Sequence, residues 1–399
     1  MIDKGNKPPA VTLPHRIIAA QFSAIMHYVR QKLQATLFRL RLQRKMIFLF
    51  AFVTLIVIFN LLLPGHPKMV GWYARQIFRP FQNVRNVLFG YIPFSIGDLL
   101  YVLAIILLLS TLISWVYFIT KFRTQAHYLW ASVLSFVNVF AFCYAIFFLG
   151  WGGNYYKPQL AKYWSLNTTA WKDTASLFEF DALLIERLNQ LAPQYRPQTF
   201  KEVNQEAKAA FRELTDSKTR LHGLSAKPSL FGYFMQYLGI QGYYNPFTGE
   251  AQVNRFLPEY MLPFVVCHEM AHQSGIAAEG DANLLSYALC TRSPDSGFAY
   301  SGYFNIWLYT HNRALLQDSA RAVLYYSRLN ELSQRHVDTL RAIRQQYKGL
   351  LNQLSGALYD SYLRWHNQKE GIESYFKVVK SAWAFERSRA QKEEVLHIP

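Results

Sequence analysis

Three long runs without a charged side chain constrain this chain more than any other feature. They are Met46–Leu63, "MIFLFAFVTLIVIFNLLL", Leu99–Ile119, "LLYVLAIILLLSTLISWVYFI", and Leu129–Leu149, "LWASVLSFVNVFAFCYAIFFL". Each comes close to or exceeds the roughly 20 apolar residues with which a helix crosses the hydrocarbon of a bilayer. Within lipid the backbone must bond to itself, so the stable form of such a run is a helix. The polar exceptions, Asn60 and Asn138, are expected to hydrogen-bond between helices. Forty-five residues precede the first run, too many for the basic start of a cleaved secretory signal.

The charge distribution follows the same division. The formal net charge is +17, with 15 Lys and Arg against 2 acids in residues 1–151 and 27 against 23 in residues 152–399. Most of the basic excess therefore lies in the oily front end, where it reads as membrane topology. No zinc finger, basic zipper or RNA-binding signature accompanies it, so nucleic acid is not expected as a partner, whereas the lipid bilayer is. The tail before the first span carries nine Lys and Arg, including Arg39, Arg41, Arg44 and Lys45, and the loop after the second span carries Lys121 and Arg123. The loop after the first span carries Lys68, Arg75, Arg79 and Arg85. The positive-inside rule then makes residues 1–45 a basic cytoplasmic tail and residues 46–151 a membrane region with three transmembrane helices. Residues 152–399 become an extracytoplasmic domain. "WGGNYY", Trp151 to Tyr156, is expected to sit in the interfacial aromatic belt.

Apolar residues at 3–4 spacing predict helices near 181–192, 201–216, 264–274, 279–290, 303–328, 330–365 and 371–386. "FGYFMQYLGIQGYYNPFTGEAQVN", Phe231 to Asn254, is rich in aromatics and glycine, with turn signals at Asn245-Pro246 and Thr248-Gly249, and predicts short strands with a hairpin. The fold class is thus mainly α, with three N-terminal transmembrane helices followed by an α+β soluble domain holding a small sheet. Three cysteines make no disulfide scaffold; Cys267 and Cys290 read as buried thiols.

Chemistry concentrates in "VVCHEMAHQSGIAAEGDANLLSYALC", Val265 to Cys290. On a helix His268 and His272 lie one turn apart on one face, so both imidazoles can meet one ion. Glu269, one step round, can reach a water held there and act as general base. By chance, H-E-x-x-H is expected only about 0.01 times in a chain of this composition. Gly275 allows the chain to reverse, and Glu279 and Asp281 follow as candidates for a third ligand. A helix starting near Ala278 places Glu279 and Asn283 on one face and turns Asp281 away by roughly 200°. Glu279 is the favoured ligand, with Asn283 and Asp281 in supporting positions. Tyr300, Tyr303 and Tyr375 are candidate donors to a developing oxyanion. His311, His336 and His366 read as packing or surface residues.

"HEMAHQSGIAAEGDAN" resembles the zincin metallopeptidases whose third ligand is a glutamate, in which H-E-x-x-H is followed by E-x-x-x-D. Asn283 stands where that clan usually has aspartate. More broadly, "IPFSIGDLLY", "WGGNYY", "GYYNPFTGEAQVN" and "YSGYF" resemble an uncharacterised family of bacterial membrane proteins known only as a domain of unknown function. The zincin resemblance implies zinc as cofactor, His268, His272 and Glu279 as its ligands, Glu269 as general base and a zincin-like domain. It also implies that a peptide or protein substrate lies along an edge strand just before the metal helix, a place that "GEAQVN", Gly249 to Asn254, occupies in sequence. The expected function is a zinc metallopeptidase of the bacterial inner membrane acting on envelope peptides or proteins. The alternative is a metal-binding structural or regulatory membrane protein without turnover. "MLPFVVCHEMAHQSG" is too short and polar to be a span, which argues against an intramembrane protease. The three spans hold no Lys, Arg, Asp or Glu, which argues against an ion transporter.

Overall fold

All three charge-free runs are helical in the computed structural model, which describes residues 13–214, 221–365, 374–388 and 396–399. The chain begins with α1 (Leu13–Leu62), α2 (Pro67–Tyr73), α3 (Arg79–Phe89), α4 (Ile96–Thr120) and α5 (Phe122–Gly150). α1, α4 and α5 are long and apolar enough to cross a membrane. The first apolar run is only the last part of α1, which continues back through most of the basic tail. A π-helical turn, Ala74–Phe78, joins α2 to α3.

By its internal contacts the chain divides into two compact units, Met1–Ile56 with Ser110–Ala145 and Val57–Leu109 with Ile146–Pro399. In the first unit, Phe52 of α1 meets Phe142 of α5 with ring centroids 5.4 Å apart, and the Trp115 indole of α4 donates to the Ser132 hydroxyl of α5 at 3.0 Å. Asn138 does not bridge helices: its amide donates to Leu134 O of its own helix at 2.8 Å, four residues back, which satisfies the donor locally. Asn60, in the second unit, accepts from the Tyr156 hydroxyl at 3.0 Å.

The second unit contains α6 (Leu160–Tyr163), α7 (Asp173–Leu191), α8 (Phe200–Leu214), α9 (Gly232–Leu238), α10 (Leu262–Gln273), α11 (Glu279–Arg292) and α12 (Ser296–Gln317). It closes with α13 (Ser319–Tyr326), α14 (Glu331–Gln346), α15 (Leu350–Trp365) and α16 (Ser374–Arg387). Its core gathers Phe178, Tyr287, Phe298, Phe304, Trp307 and Phe385, all fully buried, from α7, α11, α12 and α16. Two of the predicted helices are divided. The run expected over 303–328 breaks where the Asp318 side chain caps α13 by accepting from Arg321 N at 3.0 Å. The run over 330–365 breaks between Gln346 and Leu350, at Gly349. Hydrophobic spacing persists through both breaks, which is why periodicity alone runs them together.

Three short strands, β1 (Ala226–Pro228), β2 (Gly242–Asn245) and β3 (Glu250–Val253), form one sheet in the order β1-β3-β2. β3 pairs parallel with β1 and antiparallel with β2. The hairpin lies where its turn residues predicted, but β1 precedes the expected region and Gly232–Leu238 is helix instead of strand. β3 is therefore the central strand. "GEAQVN" cannot serve as the edge strand expected from the zincin resemblance, because both of its edges are already paired.

All four residues of β3 are buried, and its alternation Glu-Ala-Gln-Val shows why. Ala251 and Val253 join the apolar core, while Glu250 and Gln252 meet the start of α4. The Glu250 carboxylate accepts from Gly97 N at 2.7 Å and Ile96 N at 3.3 Å, so it caps the orphan amides of this candidate membrane helix. Lys227 neutralises it at 2.7 Å and also donates to Phe89 O and Phe94 O. Asp98 reaches back from the first turn of α4, accepting from Leu230 N at 2.6 Å, from Ser229 and from the Tyr243 hydroxyl. The family-like segment "IPFSIGDLLY" is thus clamped to the sheet by buried polar bonds.

Removing one member of a buried ion pair leaves the other uncompensated. Glu250→Ala is expected to lower unfolding stability by about 3–5 kcal/mol. Thermal unfolding of the detergent-solubilised protein measures it, and an unchanged midpoint would show that the pair does not hold α4 to the sheet.

Candidate metal centre

α10 begins with Pro263 in its first turn and ends at Gln273. The chain then reverses at Gly275, whose φ of +94° is a conformation that side chains with a Cβ rarely adopt. A Cβ there would also meet Phe78 Cε1 at 2.5 Å and Lys157 Nζ at 2.9 Å. The Lys157 ammonium donates to Gly275 O at 3.0 Å, a cation at the negative end of α10. Burial pushes Lys157 down to about 7, helped by Arg79. α11 returns along α10 and carries Glu279 back over the two histidines.

The result is a triangle of ligand atoms. His268 Nε2 and His272 Nε2 are 3.1 Å apart, Glu279 Oε2 lies 3.2 Å from the first and Glu279 Oε1 3.4 Å from the second. Ligands about 2.0–2.1 Å from one tetrahedral ion are spaced by roughly 3.3 Å, so the three side chains match a metal shell. This His268–His272–Glu279 group could hold a metal ion. The tautomer of His272 agrees. Its Nδ1 lies 2.7 Å from Ile276 O, which only accepts, so Nδ1 carries a proton in either charge state and Nε2 is the nitrogen left for a metal once its own proton is displaced. Glu269 Oε2 is buried with no hydrogen-bond partner among the described residues, as suits a polar atom whose partner arrives with a bound group.

Charge in the cluster points the same way. Burial opposes ionisation of Glu279, but His272 and His268 outweigh it and hold the carboxyl well below its usual range. Burial likewise opposes a charge on His272, yet Glu279 lifts it to about 9. The site therefore retains positive charge opposite Glu279, by a proton or by a metal. Burial raises Glu269 to about 7, against the pull of His268 and His272.

Asp281 is elsewhere: it accepts a hydrogen bond from the backbone of Leu160, and burial lifts it to about 6. Asn283 is buried, with its Nδ2 unpartnered among the described residues. Tyr300 does not join the group, because its hydroxyl bonds Ser333 at 2.9 Å and His336 at 2.8 Å inside the core. Tyr303 packs against Tyr287. Tyr375 falls on α16, but its side chain lies outside the described residues, as does His366. His311 pairs with Asp181 at 3.2 Å, and His336 stacks on Tyr260 with centroids 3.8 Å apart, so neither approaches the ligands. Cys267 and Cys290 are buried thiols, not a disulfide, hydrogen-bonded to each other across α10 and α11.

Four neighbours escaped the sequence reading. Trp151 is buried instead of lying in a lipid-facing belt: its indole donates to His272 O at 3.2 Å, and its ring meets His272 and Tyr244. Ile276 supplies the carbonyl that orients His272. Gly242 opens β2 directly behind the general-base candidate, where a Cβ would meet Glu269 Oε1 at 2.6 Å. A glycine within a strand was the only sequence signal for that close approach. The fourth is Tyr309 on α12. Cys267–Cys290 and His272–Glu279 make α10 and α11 antiparallel, and Gly302 against Cys290 with Tyr303 against Tyr287 makes α12 antiparallel to α11. α12 therefore runs parallel to α10, and Ser301 accepts from Phe264 N at 3.2 Å. Further along α12, Tyr309 lies within reach of the Glu279 charge. Burial raises its hydroxyl well above the usual range, and the Glu279 charge adds to this.

A family model described as "Protein of unknown function (DUF3810)" matches residues 73–382, from α2 into α16. No curated protein and no solved structure matches the chain.

Because His272 is lifted to about 9, a metal entering near neutral pH must displace a proton. The apparent affinity for a divalent ion is expected to rise about tenfold per pH unit between about pH 6 and 8, with proton release seen calorimetrically in buffers of different ionisation enthalpy. His272→Ala and Glu279→Ala should abolish uptake while Asp281→Asn retains it; pH-independent uptake would rule out this ligand set.

Proposed function

The chain belongs to the DUF3810 family, and from that footing we propose that it is a membrane-anchored, metal-dependent peptidase. The observation that carries this reading is the convergence of His268, His272 and Glu279 within 3.4 Å of one another, beside the buried carboxylate of Glu269. Two imidazoles and one carboxylate suit zinc. Bound there, a zinc ion supplies Lewis acidity to a carbonyl oxygen and makes water nucleophilic near neutral pH.

The protein's own groups perform the remaining work. Glu269, lifted to about 7, can take a proton from the attacking water and pass it to the departing amine. Gly242 lets that carboxylate lie against the strand backbone. Ile276 and Trp151 hold His272 in place by its Nδ1 and its carbonyl. Tyr309 is the hydroxyl suited to meet a developing oxyanion. β2 is an edge strand among the described residues, and its first residue touches Glu269, so an extended peptide can add to it there. With this unit on the extracytoplasmic side, the substrates are envelope peptides or proteins.

One observation favours a second reading, a metal centre that only staples α10 to α11. Glu269 is 4% exposed and the ligand side chains are 7–13% exposed, as befits a closed structural site. Function and staple separate by variant. Glu269→Gln is expected to retain metal and lose peptide cleavage by about 10²–10⁴-fold. Tyr309→Phe should lose about 10²-fold or more, and Tyr300→Phe little. Equal cleavage by the Gln variant and the parent would remove the general-base role. Absence of cleavage in both, with a lower unfolding temperature on chelation, would establish the staple.

A further inference from the structure

The second unit exposes an apolar surface that its core does not need. Leu230, Tyr233 and Phe234, at the start of α9, are 53%, 60% and 53% exposed. On α15, Leu350, Leu354 and Leu358 are 78%, 53% and 64% exposed, spaced four apart and so aligned along one side of the helix. The two surfaces join where Tyr237 meets Tyr347 at 4.9 Å and where α15 closes over Gly239. Grouped side chains of this size on a surface mark an interaction site.

Their place in the fold identifies the partner. Leu230 N donates to Asp98, in the first turn of the candidate span α4. On that same turn Leu99 and Leu100 face outward, 47% and 37% exposed. The α9 surface therefore adjoins the outward-facing side of α4, at the end where the candidate span begins. Its composition fits that depth, since tyrosine, phenylalanine and leucine favour the boundary between headgroups and acyl chains. Arg255 stacks on Phe256 at 4.9 Å, Phe256 meets Tyr233, and Lys348 follows Tyr347, so cations rim the surface, as suits contact with lipid phosphates.

We propose that α9 and α15 form a membrane-docking face that lies in the bilayer interface beside the start of α4. This does not rest on the peptidase reading. It does carry a consequence for it: α9 runs through Gly239–Gln241 into β2, so the docked face sets the candidate metal centre beside the membrane surface.

Nitroxide labels at Phe234→Cys and Leu354→Cys test the docking face, in the full chain with Cys143→Ser, reconstituted in phosphatidylglycerol-containing nanodiscs. Lys201→Cys on α8 is the exposed control. Lipid contact raises collision with oxygen and suppresses collision with a water-soluble nickel chelate. At both positions the oxygen-to-nickel ratio should exceed that of the control by about tenfold. A nickel-accessible label at either position would overturn the proposal by placing that helix in water. Low access to both reagents would overturn it too, as the mark of a protein contact such as a second copy.

Discussion

The chain reversal at Gly275 is the constraint on which the candidate site depends. A helix that continued would carry Glu279 away along its axis. Because Gly275 takes a left-handed backbone, α11 folds back on α10 and three ligand atoms meet. The same turn presents Ile276 O to His272 and Gly275 O to Lys157, so it also sets a tautomer and caps a helix. Phe78 and Lys157 fill the space that a Cβ would need, which ties the turn to the segments following the first and third spans.

Behind α10, the sheet links the candidate metal centre to α4, one of the helices long and apolar enough to cross a membrane. β3 shows one face to the apolar core and the other to the amino end of α4, where Glu250 accepts from Gly97 N of the helix and Asp98 accepts from Leu230 N on the sheet side. A span held only by its lipid-facing surface could rotate or slide. One whose terminal amides are bonded to a buried carboxylate is fixed in register with the sheet. The stretch before the second span is therefore part of the fold that carries the site.

Local signals were legible where local physics decides. Charge-free length marked the three helices long and apolar enough to cross a membrane, four-residue spacing put His268 and His272 on one face, and the roughly 200° turn between Glu279 and Asp281 separated the acid that meets the histidines from the one that does not. Signals failed where a distant partner decides. Trp151 looks like a belt aromatic, but the buried His272 carbonyl claims its indole. "GEAQVN" reads as an edge strand until the three-residue β1, too short to show any period, occupies its free side. Tyr300 is indistinguishable from Tyr309 by composition; only the register of α12 against α10 sends one hydroxyl to Ser333 and sets the other near Glu279.

The sequence alone determined that this chain has three helices fit to enter lipid and a helix that offers two imidazoles and a carboxylate. Both follow from hydrophobic length and helical period, properties of contiguous residues. Tertiary structure alone decided that Glu279 returns over both histidines, which strand stands at the edge, and which aromatic rings are buried against α10. Those choices depend on burial and pairing between residues far apart in the chain, where the free energy of a side chain is set by its neighbours in space.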